Sequence, residues 1–236
     1  MPNDHFEFKQ FTVWQSSCSQ KVSTDACIFG AWTARCAQPG GPVLDIGAGT
    51  GLLMLMLAQK HPVAIHGIEI EPDCFQQSKE NISKSKWHDR LEVFEGDAKN
   101  MDVPGPYGLV LSNPPFYENQ LASPDQRKNM AWHSSKLSLG DLFTTAGGLL
   151  DNGGEFAVIV PYTRKDELST LAASTGFHPK RSLSVRHTLT HTFTRYMVIY
   201  TRQPSSCIDE WLEIKTADGE YSAEMIRLMA DYYLFL

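Results

Sequence analysis

Between Asp45 and Phe116 the chain carries a spaced set of residues suited to holding a ribose-bearing ligand beside a planar amine. Gly47, Gly49 and Gly51 alternate through Asp45-Ile46-Gly47-Ala48-Gly49-Thr50-Gly51. Glycines in such a turn let the backbone take positive φ and approach a ligand closely. Dinucleotide enzymes need G-x-G-x-x-G, whose last glycine packs helix on strand. Counted from Gly47, that position is Leu52, so the dinucleotide pattern fails. Glu69 follows at about the distance where a carboxylate accepts hydrogen bonds from both ribose hydroxyls. Asp97, in Glu95-Gly96-Asp97-Ala98, is a third acid in register, although alone it would pass for a turn former. In Ser112-Asn113-Pro114-Pro115-Phe116, the Asn113 side-chain carbonyl and the Pro114 backbone carbonyl can each accept one N–H of an exocyclic amine. Its lone pair is delocalised, and two such bonds pull the nitrogen toward tetrahedral geometry and expose that pair. Pro114 and Pro115 rigidify the turn, and Phe116 can stack on the planar group.

Asp45 to Gly51, as D-x-G-x-G-x-G, resembles motif I of class I methyltransferases. Asn113 to Phe116 resembles the (D/N/S)-P-P-(Y/F/W) signature of amino-methylating enzymes. The resemblance implies S-adenosyl-L-methionine as cofactor. That molecule carries no pyrophosphate, so Asp45 would face its cationic amino-acid end, while Asp97 would accept from its adenine amino group. Attack on the sulfonium methyl would be in line, with no covalent enzyme intermediate and no metal, so positioning and electrostatics would do most of the catalysis. A target base in structured nucleic acid would have to be flipped out.

The elements that must position these residues are legible in the apolar pattern. Short strands are expected at 43–46, 63–70, 91–94, 108–111, 155–160 and 196–201. Helices are expected at 51–59, 72–84, with Pro72 in its first turn, 139–150, closed by Asn152-Gly153-Gly154, 164–174, ended by Gly176, and around 222–232. Alternation of this kind means an α/β fold, mostly parallel, with helices on both faces. Ligands in such sheets bind outside the carboxyl ends of the strands. Asp45, Glu69, Asp97 and Asn113 all fall there. The expected architecture is the Rossmann-like class I methyltransferase fold with a seven-stranded sheet, in a single domain over 1–236. Residues 117–137, polar and rich in turn formers, read as a mobile loop.

With 236 residues the chain suits one such domain. No apolar run is long enough to span a bilayer, and the N-terminus lacks a basic stretch followed by an apolar one, so a cytoplasmic protein without membrane contact is expected. Five cysteines, Cys18, Cys27, Cys36, Cys74 and Cys207, form no C-x-x-C pair, so reduced cysteines are expected and neither a disulfide framework nor zinc. His187 and His191 lack a third ligand, and no metal is expected. The net charge of −6 argues against nucleic acid. Residues 160–202, however, hold Arg164, Lys165, Lys180, Arg181, Arg186, Arg195 and Arg202 against only Asp166 and Glu167, a local basic face that can hold phosphate. The tail from 203 is acidic.

A narrower resemblance covers nearly the whole chain and is looser between about 117 and 195. Phe8-Lys9-Gln10-Phe11, Gln20 to Ala26, Gly30-Ala31-Trp32, Leu44 to Leu53, Leu55 to Gln59, Glu80-Asn81-Ile82, Tyr221 to Glu224 and Tyr232 to Leu236 resemble the bacterial tRNA1(Val) (adenine(37)-N6)-methyltransferases. That family modifies the adenine beside the anticodon. The resemblance implies tRNA as partner and residues 1–40 as a segment covering the cofactor, with Lys21, Thr24 and Asp25 in contact with it. Thr24 or Asp25 would equally suit as N-cap of the helix that follows. Trp132 and His133 would clamp the flipped base with Phe116, and Arg186 and Arg195, with Lys180 and Arg181, would meet tRNA phosphates across a flexible loop at 187–194. An rRNA guanine amino-methyltransferase and a glutamine-amide methyltransferase acting on a release factor share the chemistry. The latter usually carries an N-terminal helical domain, for which only about forty residues precede Asp45. The intact Asn113-Pro114-Pro115-Phe116 argues against a regulator that binds the cofactor without catalysis.

Overall fold

The computed structural model describes residues 4–18, 20–115 and 137–236. Five parallel strands run from the middle of the main sheet to one edge: β3 (Val43–Ile46), β4 (Ile65–Glu69), β5 (Leu91–Glu95), β6 (Tyr107–Ser112) and β7 (Leu150–Pro161). β9 (Arg195–Thr201) is antiparallel to both β7 and β8 (His178–Arg186), and β10 (Ile208–Glu213) lies parallel to β8 at the edge. The order is β10-β8-β9-β7-β6-β3-β4-β5. The doubly wound fold is as expected, but the sheet has eight strands among the described residues where seven were expected. The additional one, β10, has one buried residue, Leu212, and half its residues are carboxylates, so it carries no alternation of the half-buried kind.

The central strands are buried on both faces. Along β7, Phe156, Val158 and Val160 enter one core cluster while Ala157 and Ile159 enter the other. This is the period of two expected of a covered parallel sheet. The helices are α1 (Thr24–Cys36), α2 (Leu52–Ala58), α3 (Pro72–Ser83), α4 (Leu139–Leu149), α5 (Lys165–Ser174) and α6 (Ala223–Met229). Every residue of α2 is buried. Its Met54 packs so closely on β4 that a Cβ on Gly67 would meet the sulfur at 2.6 Å. The helix expected to be closed by Asn152-Gly153-Gly154 ends at Leu149 instead, and those residues begin β7. Gly154 belongs there because a Cβ would stand 2.8 Å from the Tyr107 carbonyl of the neighbouring strand.

A small antiparallel hairpin of β1 (His5–Glu7) and β2 (Thr12–Trp14) precedes the sheet. Asn81 of α3, itself buried, ties it down. Its Oδ1 accepts from the Trp14 amide at 2.9 Å, and its Nδ2 donates to the carbonyls of Trp14 at 2.7 Å and Thr50 at 2.8 Å. One side chain thus joins the N-terminal segment to the glycine turn. Cys18 and Cys74 form a disulfide, with Cα atoms 4.6 Å apart, between that segment and the first turn of α3. This corrects the expectation of reduced cysteines throughout: 56 residues separate the pair, so their juxtaposition is a product of the fold and not of local spacing. No described helix is long and apolar enough to cross a membrane.

Candidate active site

The register of the sheet assembles the site. Ser112 lies opposite Ile46, and Ile46 opposite Ile68, so the residues leaving the carboxyl ends of β6, β3 and β4 are Asn113, Gly47 and Glu69, side by side. Adjacent strands stand about 4.8 Å apart. The Ser112 hydroxyl donates to the Ile46 carbonyl at 2.7 Å, fixing where the Asn113 turn departs. Composition gave no hint of this role for Ser112. Asn113 is half-buried, Pro114 buried and Pro115 exposed. Phe116, Trp132 and His133, and the expected loop at 117–137 apart from Leu137, lie outside the described residues.

The glycine turn has the shape of a ligand cradle. Gly47, Gly49 and Gly51 take φ of 81°, 56° and 78°, a region costly for any residue with a Cβ. A Cβ built on Gly47 or Gly49 would meet nothing within 4 Å, so open space lies over the turn. The Gly47 and Ala48 amides donate to the Ile68 carbonyl, which holds the turn to β4.

Beneath this turn Asp45 is fully buried, and neither of its carboxylate oxygens has a hydrogen-bond partner. Burial, and then the charge of Glu69, push its carboxyl up to about 8. An unpaired buried carboxylate is costly, and a cationic ligand group in the cradle would relieve that cost. The residues therefore fit a cofactor with an ammonium at one end and a ribose at the other. Glu69 ends β4 almost wholly buried; Oε2 accepts from the Gly49 amide at 2.7 Å and Oε1 from the Glu71 amide at 2.8 Å. Asp97 follows β5 and organises its own turn, accepting from the Lys99 amide at 3.0 Å and the Asn100 side chain at 3.3 Å.

The segment before the sheet continues into α1, which packs on α2: a Cβ on Gly30 would meet Met56 and Leu53. The N-cap of α1 is Ser23, which accepts from the Ala26 amide, so the cap is neither Thr24 nor Asp25. Thr24 is exposed in the first turn, and Lys21 donates from its ammonium to the Gln15 carbonyl. Asp25 forms an ion pair with Arg195 at 2.8 Å. Of the other cations expected to meet phosphate, Arg186 pairs with Glu213 at 2.5 Å, Arg181 with Glu210 at 3.2 Å and Lys180 with Glu155. The acidic tail thus folds against the basic stretch, β10 against β8, and the charge asymmetry along the chain is largely cancelled in space. At 187–194 the chain turns tightly, with the Thr188 hydroxyl 2.7 Å from His191 Nδ1 and the rings of His187 and His191 edge to face.

Comparison with known proteins places this arrangement. The family model "Methyltransferase small domain" matches residues 33–176. A tRNA1(Val) (adenine(37)-N6)-methyltransferase from Bacteroides thetaiotaomicron is 37% identical over 238 residues, covering 100% of both chains. Among solved structures, a predicted O-methyltransferase from Agrobacterium tumefaciens superposes with a TM-score of 0.67 at 14% identity, covering 87% of this chain and 95% of that one. A glycopeptide N-methyltransferase complexed with S-adenosyl-L-methionine superposes at 0.55 and 13% identity, covering 75% and 94%. At these identities the two structures speak for the fold alone. Full-length identity above one third and a family model spanning more than half the residues do more: the chain belongs to the tRNA1(Val) (adenine(37)-N6)-methyltransferase family, within the methyltransferases of the small-domain type.

Proposed function

We propose that this protein transfers a methyl group from S-adenosyl-L-methionine to N6 of adenine 37 in tRNA1(Val), as a cytoplasmic enzyme of one domain. The observation that supports this reading is the lateral register of Asn113, Gly47 and Glu69, with the Asn113 turn one strand away from the glycine turn. The cofactor, when bound, supplies an activated methyl on a sulfonium. Glu69 holds the ribose hydroxyls, Asp45 faces the ammonium, and Asp97 accepts from the cofactor adenine. Gly47, Gly49 and Gly51 let the backbone come close. Asn113 and Pro114 accept the two N–H bonds of the target amine, aligning its lone pair, while Pro115 stiffens the turn and Phe116, Trp132 and His133 grip the base. Lys21, Thr24 and Asp25 close the N-terminal segment, residues 1–40, over the cofactor. Arg186 and Arg195 line the tRNA side of the site.

The buried Asp45 gives this reading a pH signature. With its carboxyl raised to about 8, the free protein keeps Asp45 largely protonated at neutral pH. An ammonium beside it favours the carboxylate, so binding expels a proton. Cofactor affinity is therefore expected to rise with pH up to about 8 and level off above it. In calorimetry at pH 7, the binding enthalpy should vary with the ionisation enthalpy of the buffer, and Asp45→Asn should remove that variation. A flat titration at every pH would remove the cofactor from the account. The free protein follows the same linkage with the opposite sense: a raised carboxyl binds its proton more tightly folded than unfolded, so stability falls as pH climbs from about 4 toward 8.

A further inference from the structure

We propose that Tyr162 and Phe193 form a stacking platform for an unpaired nucleotide adjacent to the methylated adenine. This rests on tRNA being the substrate. β7 is parallel to β6 and ends at Pro161, whose partner across the antiparallel pair is Arg195, where β9 begins. Tyr162 and the 187–194 turn therefore emerge at the same sheet edge as Asn113. The Tyr162 amide donates to the Thr194 carbonyl at 3.0 Å, and the rings of Tyr162 and Phe193 lie 5.2 Å apart at 31°. The Arg186 guanidinium sits 5.1 Å from the Phe193 ring centre, and the Lys165 ammonium 5.7 Å from that of Tyr162 and 4.9 Å from that of Tyr196.

Core packing accounts for Tyr162 but not for Phe193. Both rings are half-buried, and Phe193 belongs to neither core cluster; Tyr162, Arg186 and the turn hold it instead. Aromatic faces flanked by cations are the equipment of single-stranded nucleic acid binding. Because Arg186 and Arg195 are already paired with Glu213 and Asp25, the surface offers ring faces more than surplus charge.

Distance selects the occupant. Ser112 lies opposite Val158, so Asn113 is level with Ile159. Tyr162 stands three residues further along the chain, about 10 Å, and one strand over, about 4.8 Å. That is too far for the base whose amine rests on Asn113 and suits its neighbour along the strand.

Steady-state kinetics with full-length tRNA test this. Phe193→Ala and Tyr162→Ala are each expected to raise KM for tRNA about ten-fold, the scale of one lost base stack, with kcat at saturating tRNA and the cofactor Kd within about two-fold. Phe193→Leu, which keeps apolar bulk and lacks the ring, should lose the same factor, whereas Phe193→Trp should retain the parent KM. On tRNA carrying an abasic residue at the neighbour that stacks, the parent enzyme should fall to the level of Phe193→Ala, and that variant should lose nothing more. Unchanged KM in both alanine variants, a fall in kcat alone, or additive losses with an abasic residue at either neighbour would overturn the platform. Should the parent enzyme itself methylate no tRNA, the substrate reading fails first, and that result is distinct from an active parent whose variants are unaffected.

Discussion

Asn113→Ala is expected to slow methyl transfer about 10²–10³-fold while cofactor binding stays within about two-fold of the parent. The magnitude is that of removing one preorganised polar group from a reacting centre. The loss should fall on kcat, because the Asn113 carbonyl matters most as the nitrogen becomes tetrahedral and its N–H bonds grow more acidic. Ground-state binding of the tRNA is spread over a wider surface and should change little, so KM stays near the parent value. The turn itself is held by Pro114, Pro115 and the Ser112 hydroxyl on Ile46, none of which the substitution touches. Single-turnover kinetics with saturating cofactor and tRNA measure this directly. Turnover near the parent rate would remove Asn113 from the catalytic role.

Glu69→Ala is expected to weaken cofactor binding about 10²–10⁴-fold while the rate at saturating cofactor stays within a few-fold. Hydrogen bonds from a charged acceptor to two ribose hydroxyls are worth about 1.5–3 kcal/mol each, and the variant loses both. The same carboxylate braces the glycine turn through the Gly49 amide and the start of α3 through the Glu71 amide. Part of the loss is therefore a looser cradle. Glu69→Gln keeps one acceptor and should fall between the two. Calorimetry supplies the Kd and saturation kinetics the rate; equal affinities for parent and Glu69→Ala would contradict the ribose role.

What the sequence made legible was the part of the site that is local. Asp45 lies within one short apolar run, Glu69 ends a second and Asn113 follows a third, and the fold places all three toward the carboxyl ends of parallel strands. Glycine spacing translated directly into three positive φ values. Features that depend on partners far along the chain were not legible. Cys18 finds Cys74, Asn81 joins Trp14 to Thr50, and Arg186 finds Glu213 only once α3, β8 and β10 are placed. β8, whose polar and apolar residues alternate only in its second half, and the edge strand β10 were unmarked for a related reason: pairing with β9 and with each other, not their own pattern, makes them strands. The basic stretch was misleading in isolation, since the carboxylates that pair with it come from α1, β7 and β10.

Methylation of the amino nitrogen of adenine 37 in tRNA is measured by incubating the purified protein with S-adenosyl-L-methionine labelled in its methyl group and tRNA from cells lacking the enzyme. The tRNA is then digested and analysed by nucleoside mass spectrometry, with the position mapped by fragment. The expected result is labelled N6-methyladenosine at position 37 of tRNA1(Val), formed about 10²–10³-fold more slowly by Asn113→Ala. Label in methylguanosine, or in protein alone, would contradict it.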